Sequence, residues 1–418
     1  MYPDSKEMKK EEEKNNRELK VGDEMDEGNV ENAYLAPPMA YALISESDTN
    51  EPGGSVEVRK NGGESEWKYE SAMQIGVLAS APAMALGDWD ATMGTGIIMD
   101  RNFDPHAITE RIENTVNQWF QKSAAIVESL TNELCVLSEQ QRLLVAETYE
   151  KKHERCNLSS VIEANSSGAL QMMLLALVKP RYNYNVYLLH LALRKKTVSL
   201  LINILCTMSA EEMWKTHVAY NAAYPKEPLA QASLRLCSKW FRKPSVLQFV
   251  RNLLEHGRAS DSVPVSHDLV QQDVTALLQA ATTPKLNKRT FINIFSLRSF
   301  QHLAIVATEF ERASPDTLTQ VLVHAFSSQN DAGYACKITL WYATRKDDLL
   351  LHFLRQATES PGKNYRMLTR IIITHRETDL LRILQLFGYD AFFQWTQTQF
   401  KSRNRAYGDI VLRLCNFS

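Results

Sequence analysis

The stretch ILCTMSAEEMWKTHVAYNAAYPKEPL, residues 204–229, reads as the end of one helix and the whole of the next. Thr207 to Ser209 supply a cap region, Glu211 and Glu212 put acids in the first turn, and an apolar stripe follows. The same order recurs in VLSEQQRLLVAETYEKK (136–152), LRSFQHLAIVATEFERA (297–313) and THRETDLLRILQLF (374–387). The aligned positions Ser138, Ser209, Ser299 and Arg376 stand 71, 90 and 77 residues apart. Self-similarity at such a period means one structural unit used repeatedly, each copy burying a face on its neighbour. The unit is longer than an ordinary solenoid repeat and has room for four or five helices.

Outward from these segments the pattern stays helical from about Asp104. Apolar residues return at three and four: Ile108, Ile112, Val116 and Trp119, then Leu143, Leu144 and Tyr149, then Leu188, Leu189, Leu191 and Leu193. No stretch alternates as a strand does, so the body is expected to be all-α. The run NSSGALQMMLLALVKP (165–180) is the most apolar, but it is too short for a bilayer, which needs roughly 20 apolar residues. It is expected to pack within its own helical bundle, with Pro180 ending it because proline cannot continue a helix.

The charge is divided. Residues 1–100 carry 9 Lys and Arg against 21 Asp and Glu, a net of −12; the whole chain is −2, which leaves +10 on residues 101–418. Residues 1–70 have no sustained apolar period and are expected to be a disordered acidic arm. Residues 71–102, apolar and rich in small side chains, are expected to lie extended against the body. Met93-Gly-Thr-Gly96 lacks the third glycine of a dinucleotide loop and reads as a turn. The opening MYPDSKEMKKEEEK is charged throughout, which matches neither a signal peptide nor a myristoylation site.

The four-fold arrangement resembles the annexins. The best stretch, 204–229, is similar to the annexin pattern I-I-[AS]-S-R-[ST]-x-E-E-[LI] followed by a Y-x-x-x-Y ending; QQDVTALLQAATTPKLNKRTFINIFSLRSFQHL (271–303) is nearly as close. The run 165–180 resembles the closing helix of a first annexin repeat, S-G-x-[FL]-x-x-L-[LI]-x-A-L-[MV]-K-P. The resemblance implies four repeats of about five helices each, at 103–180, 181–257, 258–344 and 345–418, behind an arm at 1–102. GRASDSVPVSHD (257–268) fits the long annexin midpoint linker.

Annexins hold calcium in a G-x-G-T loop between the first two helices of each repeat, with an acid about forty residues on. Glycine lets the backbone aim several carbonyls at one point, and a hard cation takes six to eight oxygens. Here the corresponding loops read QKSAA (121–125), RKKT (194–197), TTPKLNKR (282–289) and TESPGKN (358–364). Asn165, Phe241, Asn330 and Ser402 align with the acid, although Glu163 and Asp331 lie close to two of those places. The arginine usual before the third helix is replaced by Leu137 and Met208, with His375 a partial substitute, and is kept at Arg298. Loop-type calcium sites are therefore expected to be missing, with the usual ligands of a calcium cofactor lost and no other metal or cofactor implied.

What the loops do carry is base: Lys122; Arg194, Lys195 and Lys196; Lys285, Lys288 and Arg289; Lys363. In annexins these loops share the convex, membrane-facing surface. The resemblance thus implies a cationic face that contacts lipid phosphate directly, where annexins use a calcium bridge. The plain alternative is that these bases are solvated loop residues. The acidic arm is of the right sign to compete for the same face.

Other constellations are weak. The six cysteines are far apart, form no C-x-x-C pair and sit in helical patterns, which implies buried thiols in a reducing compartment. The N-x-[ST] triplets at Asn157, Asn165 and Asn416 are then chance matches. The histidines are scattered, with no H-E-x-x-H motif. Tyr182, Tyr184 and Tyr187 are expected to pack in a linker between units; nucleic-acid stacking is the weaker reading. Trp214, Trp240, Trp341 and Trp395 are expected in the core. No nucleophile has a base beside it in sequence and no phosphate-binding glycine loop is present, so neither an enzyme nor a small-molecule substrate is implied. The expected function is calcium-independent or weakly calcium-dependent peripheral binding of acidic phospholipid membranes from the cytoplasm, with no nucleic-acid partner. The alternative is a structural adaptor on cytoskeletal filaments, as the alpha-giardin group of annexin-like proteins would imply.

Overall fold

Ser138, Ser209 and Ser299 each open a helix. Each hydroxyl accepts a hydrogen bond from the backbone N–H three residues on, and at Ser138 and Ser209 the side chains of Gln141 and Glu212 return the bond to the serine N–H. These reciprocal caps satisfy donors that a helix leaves unpaired at its start. The computed structural model describes residues 103–416 apart from 119–121, 154–155, 241–243, 283–286, 327–329, 360–363 and 403. The expectations for the arm at 1–102, and for Lys285, Lys363 and Phe241, lie outside the described residues.

Among the described residues every regular element is helical. The first five helices are α1 (Pro105–Val116), α2 (Ser123–Leu134), α3 (Glu139–Lys152), α4 (Leu158–Asn165) and α5 (Gly168–Leu177). The next five are α6 (Arg181–Lys195), α7 (Val198–Leu205), α8 (Ala210–Ala223), α9 (Leu229–Trp240) and α10 (Pro244–Arg251), which runs into a π-turn at Asn252–His256. Then come α11 (His267–Thr282), α12 (Lys288–Leu297), α13 (Phe300–Ala313), α14 (Leu318–Ala325) and α15 (Asp331–Thr344). The last five are α16 (Lys346–Glu359), α17 (Tyr365–His375), α18 (Leu380–Phe387), α19 (Tyr389–Phe400) and α20 (Arg405–Leu414).

The apolar run at 165–180 becomes α5, in which every residue from Met172 to Leu177 is buried. It packs on α2 and α4 of its own set, as its sequence implies, and also on α17 and α20 from the far end of the chain. A helix buried on nearly all sides needs the continuous apolar character that this run has. The chain leaves it at Val178 and restarts α6 directly after Pro180. Further contacts tie the sets together: α6 with α17, α7 and α10 with α15, α10 with α12, and α15 with α16.

Polar groups mark these seams. The buried Arg370 guanidinium of α17 donates to Asn185 Oδ1 at 3.2 Å and to Thr207 Oγ1 at 2.8 Å, while Tyr334 on α15 donates to Asn203 Oδ1 at 2.7 Å. Asn252 in the π-turn donates to Asn293 and Ser296 on α12. Arg376 reaches back to the end of α2, donating to the carbonyls of Leu137 and Cys135. Arg142 donates to the same Leu137 carbonyl at 2.7 Å and to Leu177 O at 3.0 Å. Burial, then the neighbouring Arg376 charge, hold the Arg142 guanidinium down at about 10.

Four expectations need correction. Trp214 is 63% exposed on α8, not core. Tyr182, Tyr184 and Tyr187 lie inside α6, not in a linker; Tyr184 is buried and donates to Arg366 O. Arg376 does not cap a helix start: the fourth set's third helix begins after Asp379, and Arg376 serves the carbonyls of a distant turn. Five cysteines are buried, but Cys156 is half-exposed in the connection between α3 and α4.

Candidate functional site

The connections between the first and second helices of each set carry the bases singled out by sequence. Lys122 is exposed at the N-cap of α2; its carbonyl accepts from the Ala125 N–H while its side chain makes no capping bond. Arg194 and Lys195 fill the last turn of α6, where cations meet the negative end of the helix dipole. Lys196 follows with φ 57°, in the left-handed region, so that α6 stops at once and α7 begins after Thr197. Arg194, Lys195 and Lys196 are all exposed. Lys288 and Arg289 are exposed in the first turn of α12, and the Lys288 ammonium lies 5.6 Å from the Phe326 ring centroid.

The positions aligned with the annexin acid are otherwise engaged. Asn165 donates to the Val161 carbonyl at 2.8 Å. Asn330 is the N-cap of α15, its oxygen accepting from the N–H groups of Ala332 and Gly333. Ser402 is exposed. Glu163 is half-buried, and burial pushes its carboxyl up against the pull of Lys179. Asp331 opens α15. Among the described residues no three His, Cys, Asp or Glu side chains gather as a metal-holding group. No described helix is long and apolar enough to cross a membrane.

Histidines unused by the sequence argument lie between packed helices. Glu113 of α1 meets Lys152 and His153 at the end of α3; Asp273 of α11 meets Arg298 and His302 at the start of α13. In the second set His190 stacks on Tyr224 at 3.9 Å, one turn before Arg194. Burial, and then the Arg194 charge, hold the His190 imidazole below its ordinary 6.5. Burial does the same at His217, His352 and His375. Near pH 6.5 the unfolded chain therefore binds protons at these four sites before the folded chain does. The stability they contribute is complete above about pH 6.5 and is lost as pH falls through the folded values. Denaturant midpoints are expected to fall steadily from pH 7 to 5.5, with a shallower fall in His375→Gln. Level midpoints over that range would contradict the assignment.

No protein-family model matches the chain. It is 27% identical over 288 residues to annexin A9 of Homo sapiens, covering 68% of this chain and 78% of the relative. It is 23% identical over 352 residues to annexin A7 of Homo sapiens, covering 81% and 68%. Among solved structures, annexin III superposes with a TM-score of 0.64 at 21% identity, over 76% of this chain and 96% of that one. The chain is a divergent annexin. The calcium-bound alpha-14 giardin structure is also similar to it, with a TM-score of 0.57 at 18% identity over 75% of this annexin and 99% of that chain. Below 25% identity such a likeness concerns the fold, so the chemistry of this annexin's loops has to be argued from its own residues.

Proposed function

We propose that this annexin is a non-enzymatic, cytoplasmic protein that binds acidic phospholipid membranes peripherally, with weak or no dependence on calcium. Its units run 103–180, 181–257, 258–344 and 345–418. The observation that carries the reading is repeated in every unit: the second helices α2, α7, α12 and α17 all start without an acid in their first turn. Bases cluster before or within those starts, at Lys122, Arg194, Lys195, Lys196, Lys288 and Arg289, with Lys285 and Lys363 beside them in sequence. A helix start is electropositive, so at Lys122, Lys288 and Arg289 the fixed and the ionic charge add. Each near-surface base is worth about 1 kcal/mol on an anionic leaflet. Eight of them hold a protein to lipid without a metal bridge.

Co-sedimentation with phosphatidylserine vesicles in chelator tests this. Pelleting is expected without calcium, to vanish as salt is raised from 0.05 toward about 0.5 M, where the Debye length shrinks to a few ångströms, and to tighten when residues 1–70 are removed. A requirement for millimolar calcium would reject the reading. A structural adaptor on cytoskeletal filaments is the second reading, favoured by the exposed Trp214 and Val218 one turn apart on α8, an apolar patch suited to a protein partner. Pelleting with microtubules but not with vesicles would select it.

A further inference from the structure

Beside the most concentrated of these bases stands a hydroxyl that the binding role does not use. Arg194-Lys-Lys-Thr-Val-Ser199 turns the corner from α6 into α7. Ser199 is exposed in the first turn of α7, while its neighbours Val198 and Leu201 are buried. Thr197, the N-cap, makes no side-chain capping bond. Arg194 and Lys196 make no ion pair with any described carboxylate. An uncapped start is where a helix opens most easily. The bend at Lys196 already breaks the helical path between the bases and the hydroxyl.

We infer that Ser199 is a phosphorylation site for a basophilic serine/threonine kinase, and that its modification releases the protein from anionic surfaces. The inference rests on the lipid-binding reading for its consequence but not for the site itself. Kinases of this class carry acidic pockets for bases on the N-terminal side of the acceptor. Lys196 lies three residues before Ser199, Arg194 five before it, and the apolar Leu200 follows it. In the transfer the Ser199 hydroxyl oxygen attacks the γ-phosphorus of ATP. The new O–P bond replaces the bond to the β,γ-bridging oxygen, ADP leaves, and the hydroxyl proton passes to the kinase base.

The fold accepts the product. A phosphate in the first turn of α7 meets unpaired backbone N–H groups and the positive end of the helix. Its charge of about −1.5 to −2 cancels about half to two thirds of the local +3. With each base worth what it is at a leaflet, vesicle affinity is expected to fall about tenfold to thirtyfold.

The test uses the full chain with magnesium, ATP and the catalytic domain of protein kinase C. Tandem mass spectrometry locates the phosphate, and phosphatidylserine vesicle pelleting in chelator reads the effect. Phosphate on Ser199, weakened pelleting, and loss of both effects in Ser199→Ala are expected, with Thr197→Ala behaving as wild type. Phosphate confined to Thr197, or absent from the corner, overturns the site. Phosphate on Ser199 with unchanged pelleting overturns the release. If the unmodified chain fails to pellet, the lipid reading falls and the release with it, while the mass spectrum still decides the site.

Discussion

Replacing Arg194, Lys195 and Lys196 together by glutamine weakens attachment to phosphatidylserine vesicles by about a hundredfold at low salt. Three bases are removed, each worth about 1 kcal/mol near an anionic leaflet, and 1.4 kcal/mol is a factor of ten. The corner itself survives the change. The turn is built from backbone bonds, Lys196 N–H to Leu193 O and Thr197 N–H to Ala192 O at 2.8 Å, and glutamine takes the left-handed position no worse than lysine does. All three side chains are exposed, so thermal stability is expected to stay within about 0.5 kcal/mol of the parent. The residual binding, carried by Lys122, Lys288 and Arg289 with Lys285 and Lys363, should show a flatter salt dependence. Vesicle titrations at 50 and 150 mM salt separate the outcomes. Equal affinity for parent and variant would mean that this corner faces away from the lipid and that the bases are solvent-facing charge.

What the sequence revealed, and what it hid, follows from the range of each interaction. The caps at Ser138, Ser209 and Ser299 and the stop at Lys179-Pro180 are local, and they stand where the pattern puts them. The exposed ends at Lys122, Arg194 to Lys196, Lys288 and Arg289 were legible for the same reason. Trp214 was misread because α8 carries two apolar stripes. Met213, Thr216 and Tyr220 face inward, while Trp214 and Val218, about 100° round the helix, face out. Periodicity reports that a stripe exists, not which of two is covered. Arg376 escaped because its acceptors, the Leu137 and Cys135 carbonyls, are more than two hundred residues away and leave no trace in local pattern. Likewise α5 reads as one bundle's helix, but two of the helices packed on it, α17 and α20, come from the far end of the chain.

The glycines of the last helices were equally silent, and they carry the second large effect. Gly333 in α15 and Gly408 in α20 are both buried against the phenylalanine that ends the preceding helix. A Cβ on Gly408 would stand 2.5 Å from Phe400 Cβ and 2.9 Å from its Cγ; one on Gly333 would stand 2.8 Å from Phe326 Cγ. Phe400 has nowhere to go: Tyr365, Trp395 and Tyr407 surround it at ring separations of 5.8, 5.8 and 5.3 Å. Two effects oppose each other in Gly408→Ala. Alanine is favoured over glycine in a helix by about 1 kcal/mol, whereas forcing extra volume into a packed site costs about 1–3 kcal/mol or more. Contacts this short at a Cβ, with backbone-near atoms as the obstacle, put the cost at the upper end, so a net loss of about 2 kcal/mol is expected. Gly333→Ala should match it, and the double variant should lose about 4 kcal/mol, since the two sites lie in different helix sets and independent effects add. Against a total of roughly 5–15 kcal/mol, that brings the folded state close to its limit. Guanidinium unfolding of the three variants measures it. Unchanged midpoints would mean that Phe326 and Phe400 move aside freely, and that helix–helix contact at these two junctions is looser than the distances imply.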